Sequence, residues 1–411
     1  VPPRNGYAGG PLPRYLLLGA TLFLLLGGIV MVYSASSVAD FVNLQDSAFH
    51  LKRQLLGAAV GLLFMLVAMS LDYRRVRWAW MVVYGVSFCG LSLVLLMGVG
   101  KWGATRWLDL GPFTVQPSEL AKVGCVLVSA VLIEQYRTGR VTAGEFWRRM
   151  FILVGAVLAL VMLQPDMGTA LVIAIAVYLM LVVGGMRGRI LGAMAVAGVA
   201  VAAALVAVAP YRIERVFAFL DPWADPQGVG YQSIQAIYAF GSGGLDGVGL
   251  GMSRQKFFYL PAAHTDFIFA IIGEELGLIG TLAVVVAFVV LAYAGVRIAL
   301  GARDAYGRLL AGGLTSMLVT QAVVNMAAVT GLVPVTGIPM PLVSSGGSSM
   351  TLTLLSIGMI LSVSTYGARV KRHGRSRTEE SAIACVAERR GNRRSHLSCV
   401  NGGRSPARRR A

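Results

Sequence analysis

The chain has 411 residues, 56% of them hydrophobic and only 13% charged, with a mean hydropathy of +0.70. Ordinary soluble domains carry roughly twice that share of charge, which excludes a water-soluble globule, a disordered protein and a disulfide scaffold. The net charge is nevertheless +17, from 36 Lys and Arg against 19 Asp and Glu, and in so apolar a chain the first partner to test is a membrane, not a nucleic acid.

Apolar runs near the ~20 residues that cross a bilayer occur at 15–34, 54–71, 78–98, 117–136, 150–164, 168–184, 189–209, 267–299, 309–330 and 344–366. They predict an all-α membrane protein of ten spans, the fifth noticeably short. Arg4 and Arg14 precede the first span, and Arg74, Arg75 and Arg77 follow the second. Arg137, Arg140, Arg148 and Arg149 follow the fourth, Arg187 and Arg189 border the junction after the sixth, and Arg297, Arg303 and Arg308 that after the eighth. Every even junction is basic, so the positive-inside rule predicts cytoplasmic termini. The same clusters make 150–164 and 168–184 two crossings, since basic residues on both flanks need an even number. Ser34-Ala35-Ser36 resembles a signal-peptide cleavage site, but the preceding run spans 20 residues and no soluble domain follows, so an anchor is expected. The start at Val1 instead of Met leaves room for residues upstream.

The predicted organisation is a membrane domain over 1–368 and a tail over 369–411. The tail holds 13 basic and 3 acidic residues, with almost no apolar periodicity, which predicts disorder; it either lies on anionic lipid or is a solvated topology signal. Cys89 and Cys125 fall in spans, Cys385 and Cys399 in the tail, an arrangement that suggests neither disulfides nor a metal site.

Charges at bilayer depth are costly and usually functional. Glu119 and Lys122, in the run QPSELAK, are three residues apart and share a helix face; they read either as a structural ion pair or as site residues. Asp166 follows Gln164-Pro165, ordinary turn chemistry. Glu274 and Glu275 point to different faces of the eighth span, one toward the interior and the other toward headgroups.

Two loops are unusual. Residues 331–345, GLVPVTGIPMPLVSS, hold three prolines and no charge; they form either a re-entrant floor to an outward cavity or a plain buried connector. Residues 210–265 form the one large loop, extracytoplasmic, between spans seven and eight. Its glycine run (241–251) offers backbone N–H groups that can meet phosphate, a weak signal without a nucleotide-binding strand. Downstream, Arg254, Lys256, His264 and Asp266 gather where span eight begins. Asp266 reads either as the N-cap of that helix or as a catalytic carboxylate.

Four stretches carry a resemblance: RWLDLG (106–111) running into QPSELAK, QPDMGTA (164–170), GYQSIQAIYAFGSGGLDGVGLGMSRQKFFYLPAAHTDFIFAIIGEELG (230–277) and PVTGIPMPLVSSGGSS (334–349). The chain resembles the SEDS (shape, elongation, division and sporulation) glycosyltransferases over nearly everything before Arg369, and within them the cell-division branch more than the elongation branch. Ser345 stands where many relatives carry an aromatic. The resemblance implies a peptidoglycan polymerase of the bacterial plasma membrane at the division septum. It would act on lipid II and work with a class B penicillin-binding protein, other divisome proteins and membrane lipids. It places the family's essential aspartate on Asp266 and its polar pair on Glu119 and Lys122.

The chemistry expected is an inverting displacement needing one base, Asp266, and a stabilised leaving group. Lys122, Arg106, Arg254 and Lys256 are the outer-side cations expected to hold pyrophosphate; Arg212 and Arg215 read either as further cations of that kind or as lipid headgroup contacts. Glu119 is expected to position Lys122 or a sugar hydroxyl, and His264 to orient its loop or bond a sugar. A divalent cation would suit pyrophosphate departure, but no ligand cluster demands one, so no cofactor is expected. The short fifth span and the QPD turn would leave a lateral opening for a polyprenyl tail. Two other classes fit ten spans with broken segments: a lipid II flippase, against which stands the lack of an inverted repeat, and a non-catalytic scaffold for the penicillin-binding protein.

Overall fold

The computed structural model describes residues 11–101, 104–109 and 114–366; the predicted tail over 369–411 lies outside them. Twelve α-helices form among these residues. They are α1 (Leu12–Leu44), α2 (Phe49–Ser70), α3 (Ala79–Met97), α4 (Pro117–Arg137), α5 (Ala143–Leu163) and α6 (Met167–Val183). Then come α7 (Gly188–Val208), α8 (Pro210–Leu220), α9 (Tyr231–Gly243), α10 (Ile268–Gly301), α11 (Ala305–Val329) and α12 (Gly347–Tyr366). Eight are long and apolar enough to cross a membrane. The two predicted spans outside that set are instructive. Helix α6 has only 17 residues, and α4 carries four charged side chains, Glu119, Lys122, Glu134 and Arg137. Yet α4 is the most enclosed helix: between Pro117 and Ile133 all residues but Leu120 are buried. Other helices, not lipid, surround it, so its sequence need not be apolar throughout.

The structure corrects the sequence reading at three points. The chain is not purely α-helical: β1 (Val99–Lys101), β2 (Ala104–Asp109) and β3 (Thr114–Val115) form an antiparallel sheet in that order between α3 and α4. The large loop is partly helical, containing α8 and α9. The fifth span is not short. Helix α5 has 21 residues because it starts at Ala143, where Thr142 accepts a hydrogen bond from the Glu145 N–H, the arrangement that T-x-x-E favours. Helix α5 packs against α3, α4 and α6. The lateral cavity beside it, about 490 Å³, lies instead at its first turns, between Trp147 and α7 residues such as Arg189 and Ala193. Helix α7 has no buried residue at all.

Small residues set the close crossings. A Cβ on Gly61 would strike the Leu354 side chain and one on Gly358 would meet the Met65 backbone, so α2 and α12 touch along a small-residue face. The buried Ser362 hydroxyl donates to Leu71 O at 2.5 Å where the two helices meet again.

Helix α10 is broken. Its 34 residues would measure about 51 Å unbroken, but Gly277 adopts φ +63°, ψ −158°. The Gly-rich segment after α9 fills the break. Val248 N–H donates to Glu274 O at 2.9 Å and Gly249 N–H to Glu275 O at 3.1 Å, while Leu278 N–H donates to Gly244 O at 3.0 Å. Backbone groups orphaned by the break are thereby satisfied. Of the run whose N–H groups could have met phosphate, Val248 and Gly249 bond here instead. Gly243 ends α9 in backbone contact with Gly273 O, where no Cβ fits, whereas Gly241 has open space. Gly243→Ala should therefore destabilise by about 1–3 kcal/mol in detergent unfolding measurements, and Gly241→Ala should be neutral or slightly stabilising.

Candidate active site

Asp266 enters from the tight turns before α10. Thr265 and Phe267 both donate backbone N–H to Ala262 O, at 3.1 and 3.3 Å. The helix starts at Ile268 with Phe267 as N-cap and no side-chain cap. The capping role is thus absent, and the Asp266 carboxylate is left for other work. By contrast Asp166 caps α6, accepting from Thr169 N–H at 3.2 Å.

Arg106 reaches the same place from β2. Its guanidinium donates to Gln164 O at 3.4 Å and to Pro165 O, and lies 3.9 Å from the Asp166 carboxylate. Arg215 comes from α8 and donates to Val335 O at 3.1 Å. Between them runs the 331–345 segment. A Cβ on Gly337 would sit 3.6 Å from Asp266 Oδ2 and 4.0 Å from Arg106 Nη1, and its φ is +70°. Backbone here lines the space beside the Asp266 carboxylate and the Arg106 guanidinium; a Cβ would only touch them, and it is the positive φ that favours glycine.

Two carboxylates and two guanidiniums therefore share one pocket of charge. Asp266 keeps some exposed surface, but protein crowds most of it; desolvation pushes its carboxyl up to about 6, opposed by Arg106, reinforced by Asp166 and opposed again by Arg215. Burial, then the neighbouring Arg106, lowers the pKa of Arg215. The sequence left Arg215 between a pyrophosphate cation and a headgroup contact, and Asp166 between a functional charge and a turn residue; in the structure both lie in this group, with Asp166 also capping α6.

The 331–345 segment is re-entrant and protein-covered. Ile338, Met340, Leu342 and Val343 are buried, and four side chains from three helices bind its carbonyls. Asn325 Nδ2 donates to Ile338 O at 2.8 Å, Gln321 Nε2 to Pro339 O at 2.8 Å, and Gln54 Nε2 to Ser344 O at 3.2 Å, with Arg215 on Val335. Asn325 Nδ2 also donates to Asp266 O at 2.8 Å, and Ser344 Oγ to Thr265 O at 2.6 Å. Beneath the segment, Lys122 Nζ donates to Glu119 Oε1 at 2.8 Å and to Gln321 Oε1 at 2.5 Å, all three buried.

His264 lies against His50, ring centroids 4.4 Å apart, and His50 Nδ1 is 2.5 Å from the buried Asp40 carboxylate. Burial and the facing His50 push His264 down to about 4, which keeps it neutral at physiological pH. Lys256 is engaged elsewhere too: its ammonium binds Gly251 O and lies 3.8 Å from Glu275. The Arg254 side chain is exposed, while its backbone N–H donates to Glu274 Oε1 at 2.8 Å. Glu274 and Glu275 do not divide between interior and headgroups. Both are buried: Glu274 accepts from Ser253, Arg254 and Gln255, and Glu275 from Ser34 on α1 at 2.7 Å. These groups pin the glycine segment to the α10 break. Among the described residues no group of three or more His, Cys, Asp or Glu is gathered to hold a metal ion.

Gln321, Asn325, Gln54 and Ser344 were missed in the sequence. The first pair carried a usable signal, two amides four residues apart in an apolar span.

Comparison with known proteins accounts for this arrangement. The family profile described as Cell cycle protein, covering FtsW, RodA and SpoVE, matches residues 15–369. Stage V sporulation protein E of Bacillus subtilis is 43% identical over 86% of this chain and 97% of its own length. A probable peptidoglycan glycosyltransferase FtsW of Trichlorobacter lovleyi is 44% identical over 82% of this chain and 89% of its own. Among solved structures, a chain of a peptidoglycan synthase complex that coordinates polymerization and crosslinking superposes with a TM-score of 0.69 at 32% identity, covering 88% of this chain and 99% of that one. Rod shape determining protein RodA of Thermus thermophilus superposes with a TM-score of 0.62 at 30% identity, over 87% and 97%. With the profile spanning nearly all the described residues, the chain belongs to the FtsW/RodA/SpoVE family of cell cycle proteins.

Proposed function

We propose that this protein is a peptidoglycan glycosyltransferase that polymerises lipid II at the outer leaflet during septal wall synthesis. The observation that carries the reading is the Asp266 carboxyl, free of any capping role and raised to about 6, beside Arg106 and Arg215. The relatives named peptidoglycan glycosyltransferases, 42–44% identical over most of the chain, support the same reaction. In the proposed topology α1–α7 and α10–α12 make ten spans with both termini cytoplasmic. Asp266, Arg106 and Arg215 then face outward, and the basic tail faces inward. The synthase complex among the structural neighbours supports a crosslinking partner, a class B penicillin-binding protein.

In the proposed reaction the 4-hydroxyl of an acceptor GlcNAc attacks the anomeric carbon of a donor MurNAc. As that C–O bond forms, the bond from the carbon to the pyrophosphate oxygen breaks, the hydroxyl proton passes to Asp266, and undecaprenyl pyrophosphate leaves with the negative charge. A base with a pKa near 6 is largely ionised at neutral pH yet still basic enough to accept a proton as attack develops. Arg106 and Arg215 face the departing pyrophosphate, where preorganised charge in a dry site acts strongly. Lys122 contributes from below, its charge held in place by Glu119 and Gln321.

The test is polymerisation of labelled lipid II by the purified protein with its penicillin-binding partner. Because Asp266 must be ionised to accept the proton, the rate should fall about tenfold per pH unit below about 6, and Asp266→Ala should make no glycan. Unchanged polymer from that variant removes Asp266 as the base; lipid moved between leaflets without polymer would assign transport instead.

A further inference from the structure

We infer that Gln321 and Asn325 are positioning residues that hold the base, the buried cation and the re-entrant wall in one fixed arrangement. The inference rests on the proposed glycosyl transfer and adds two residues to it.

The two amides sit one turn apart on α11, four residues apart and so on one face. Asn325 uses both amide hydrogens, one on Asp266 O and one on Ile338 O, each at 2.8 Å. Gln321 donates to the next carbonyl, Pro339 O, and accepts from Lys122. Four separate stretches are therefore joined through two side chains: the Asp266 turn, the re-entrant segment, α11 and the start of α4. Both residues are buried, at 1% and 2% exposure.

The chemistry explains why amides stand here. Pro339 and Pro341 have no N–H, so the segment cannot form a regular ladder, and its carbonyls need donors from elsewhere. A lysine would supply donors but add charge beside Lys122. A carboxylate would set oxygen against oxygen. For the same reason the Asn325 amide cannot be flipped, because its oxygen would then face two carbonyl oxygens. Ile338 adjoins Gly337, the backbone beside the Asp266 carboxylate and the Arg106 guanidinium. Releasing Ile338 O moves that wall, and releasing Asp266 O moves the base itself. Displacements near 1 Å at a reacting group can cost about 100-fold in rate.

The experiment compares wild type, Asn325→Ala, Gln321→Met, the double variant and Thr315→Val in the full protein with its partner, with labelled lipid II as the probe. Thr315 lies on the same helix, buried, with its hydroxyl on Ala311 O, and serves as the control for a lost buried hydrogen bond away from the site. The expected result is that each single variant lowers kcat by about tenfold or more, with KM changed less than about threefold. The double variant should be no slower than the product of the singles predicts and nearer to the worse single, as coupled residues behave. Thr315→Val should keep wild-type kcat. Should Asn325→Ala not fold, Gln321→Met carries the test alone, since it keeps the length of the side chain and loses both hydrogen bonds. Wild-type kcat in folded variants, or losses matched by Thr315→Val, overturns the inference. If Asp266→Ala also polymerises, the catalytic reading fails first; an inactive Asp266→Ala beside fully active amide variants sinks only the positioning role.

Discussion

Asp266→Asn should abolish polymerisation and also make the protein more stable above pH 6. The carboxyl titrates at 3.8 when free and at about 6 in the fold. The folded state thus binds the proton more tightly than the unfolded chain. That stabilising difference is complete below pH 3.8 and is lost as the pH rises through 6. At neutral pH the fold instead carries an ionised, crowded carboxylate, at a cost on the order of 2 kcal/mol once the solvent reaching it is allowed for. Asparagine has the same shape and no charge to desolvate. Thermal unfolding in detergent at pH 7.5 should show the variant melting a few degrees above wild type, with the gain vanishing at pH 4. Equal melting at both pH values would mean that desolvation does not govern this carboxyl. A residue whose removal strengthens the fold while ending the reaction is held for chemistry.

The second large effect concerns Glu119 and Lys122, for which the sequence allowed a structural pair or a working one. Lys122→Ala should leave the buried Glu119 carboxylate with no cation, at a cost of about 3–5 kcal/mol. Replacing both, as Glu119→Gln with Lys122→Met, removes two buried charges together and should recover most of that stability. Polymerisation separates the readings. If Lys122 supports the leaving pyrophosphate, the double variant is stable and inactive. A stable double variant that polymerises at the wild-type rate would reduce the pair to architecture.

Much of the fold was readable because lipid enforces a simple rule: eight of the ten predicted apolar runs begin and end within five residues of a helix, while α1 continues to Leu44, ten residues past its run, and α5 starts early. Helix α5 begins seven residues before the predicted run because Arg148 and Arg149 were taken as a boundary, whereas a T-x-x-E start lay upstream. The short sheet between α3 and α4 has no strong alternation to announce it. Within the site, Asp266 and Arg106 were legible from motif and charge. Lys256 had the same credentials but binds Gly251 O and faces Glu275 at the α10 break, and Arg254 touches that break only through its backbone N–H; charge says which groups need partners and not which partner each one finds. Asn325 and Gln321 carry no charge and were passed over, although in an apolar span an amide with its hydrogens committed is as informative as an ion.

The break in α10 also bears on how the protein is made. A 34-residue run this apolar presents itself to the insertion machinery as a single stop, with Glu274 and Glu275 inside it. Their donors, Ser34 and residues 253–256, are all synthesised earlier. Each carboxylate therefore emerges after the groups that donate to it, Lys256 being the one cation among them, and the glycine segment that fills the break at Gly277 is already synthesised. The turn bearing Asp266, by contrast, takes backbone bonds from Asn325 and Ser344, both synthesised after it, so those bonds wait for α11 and the re-entrant segment.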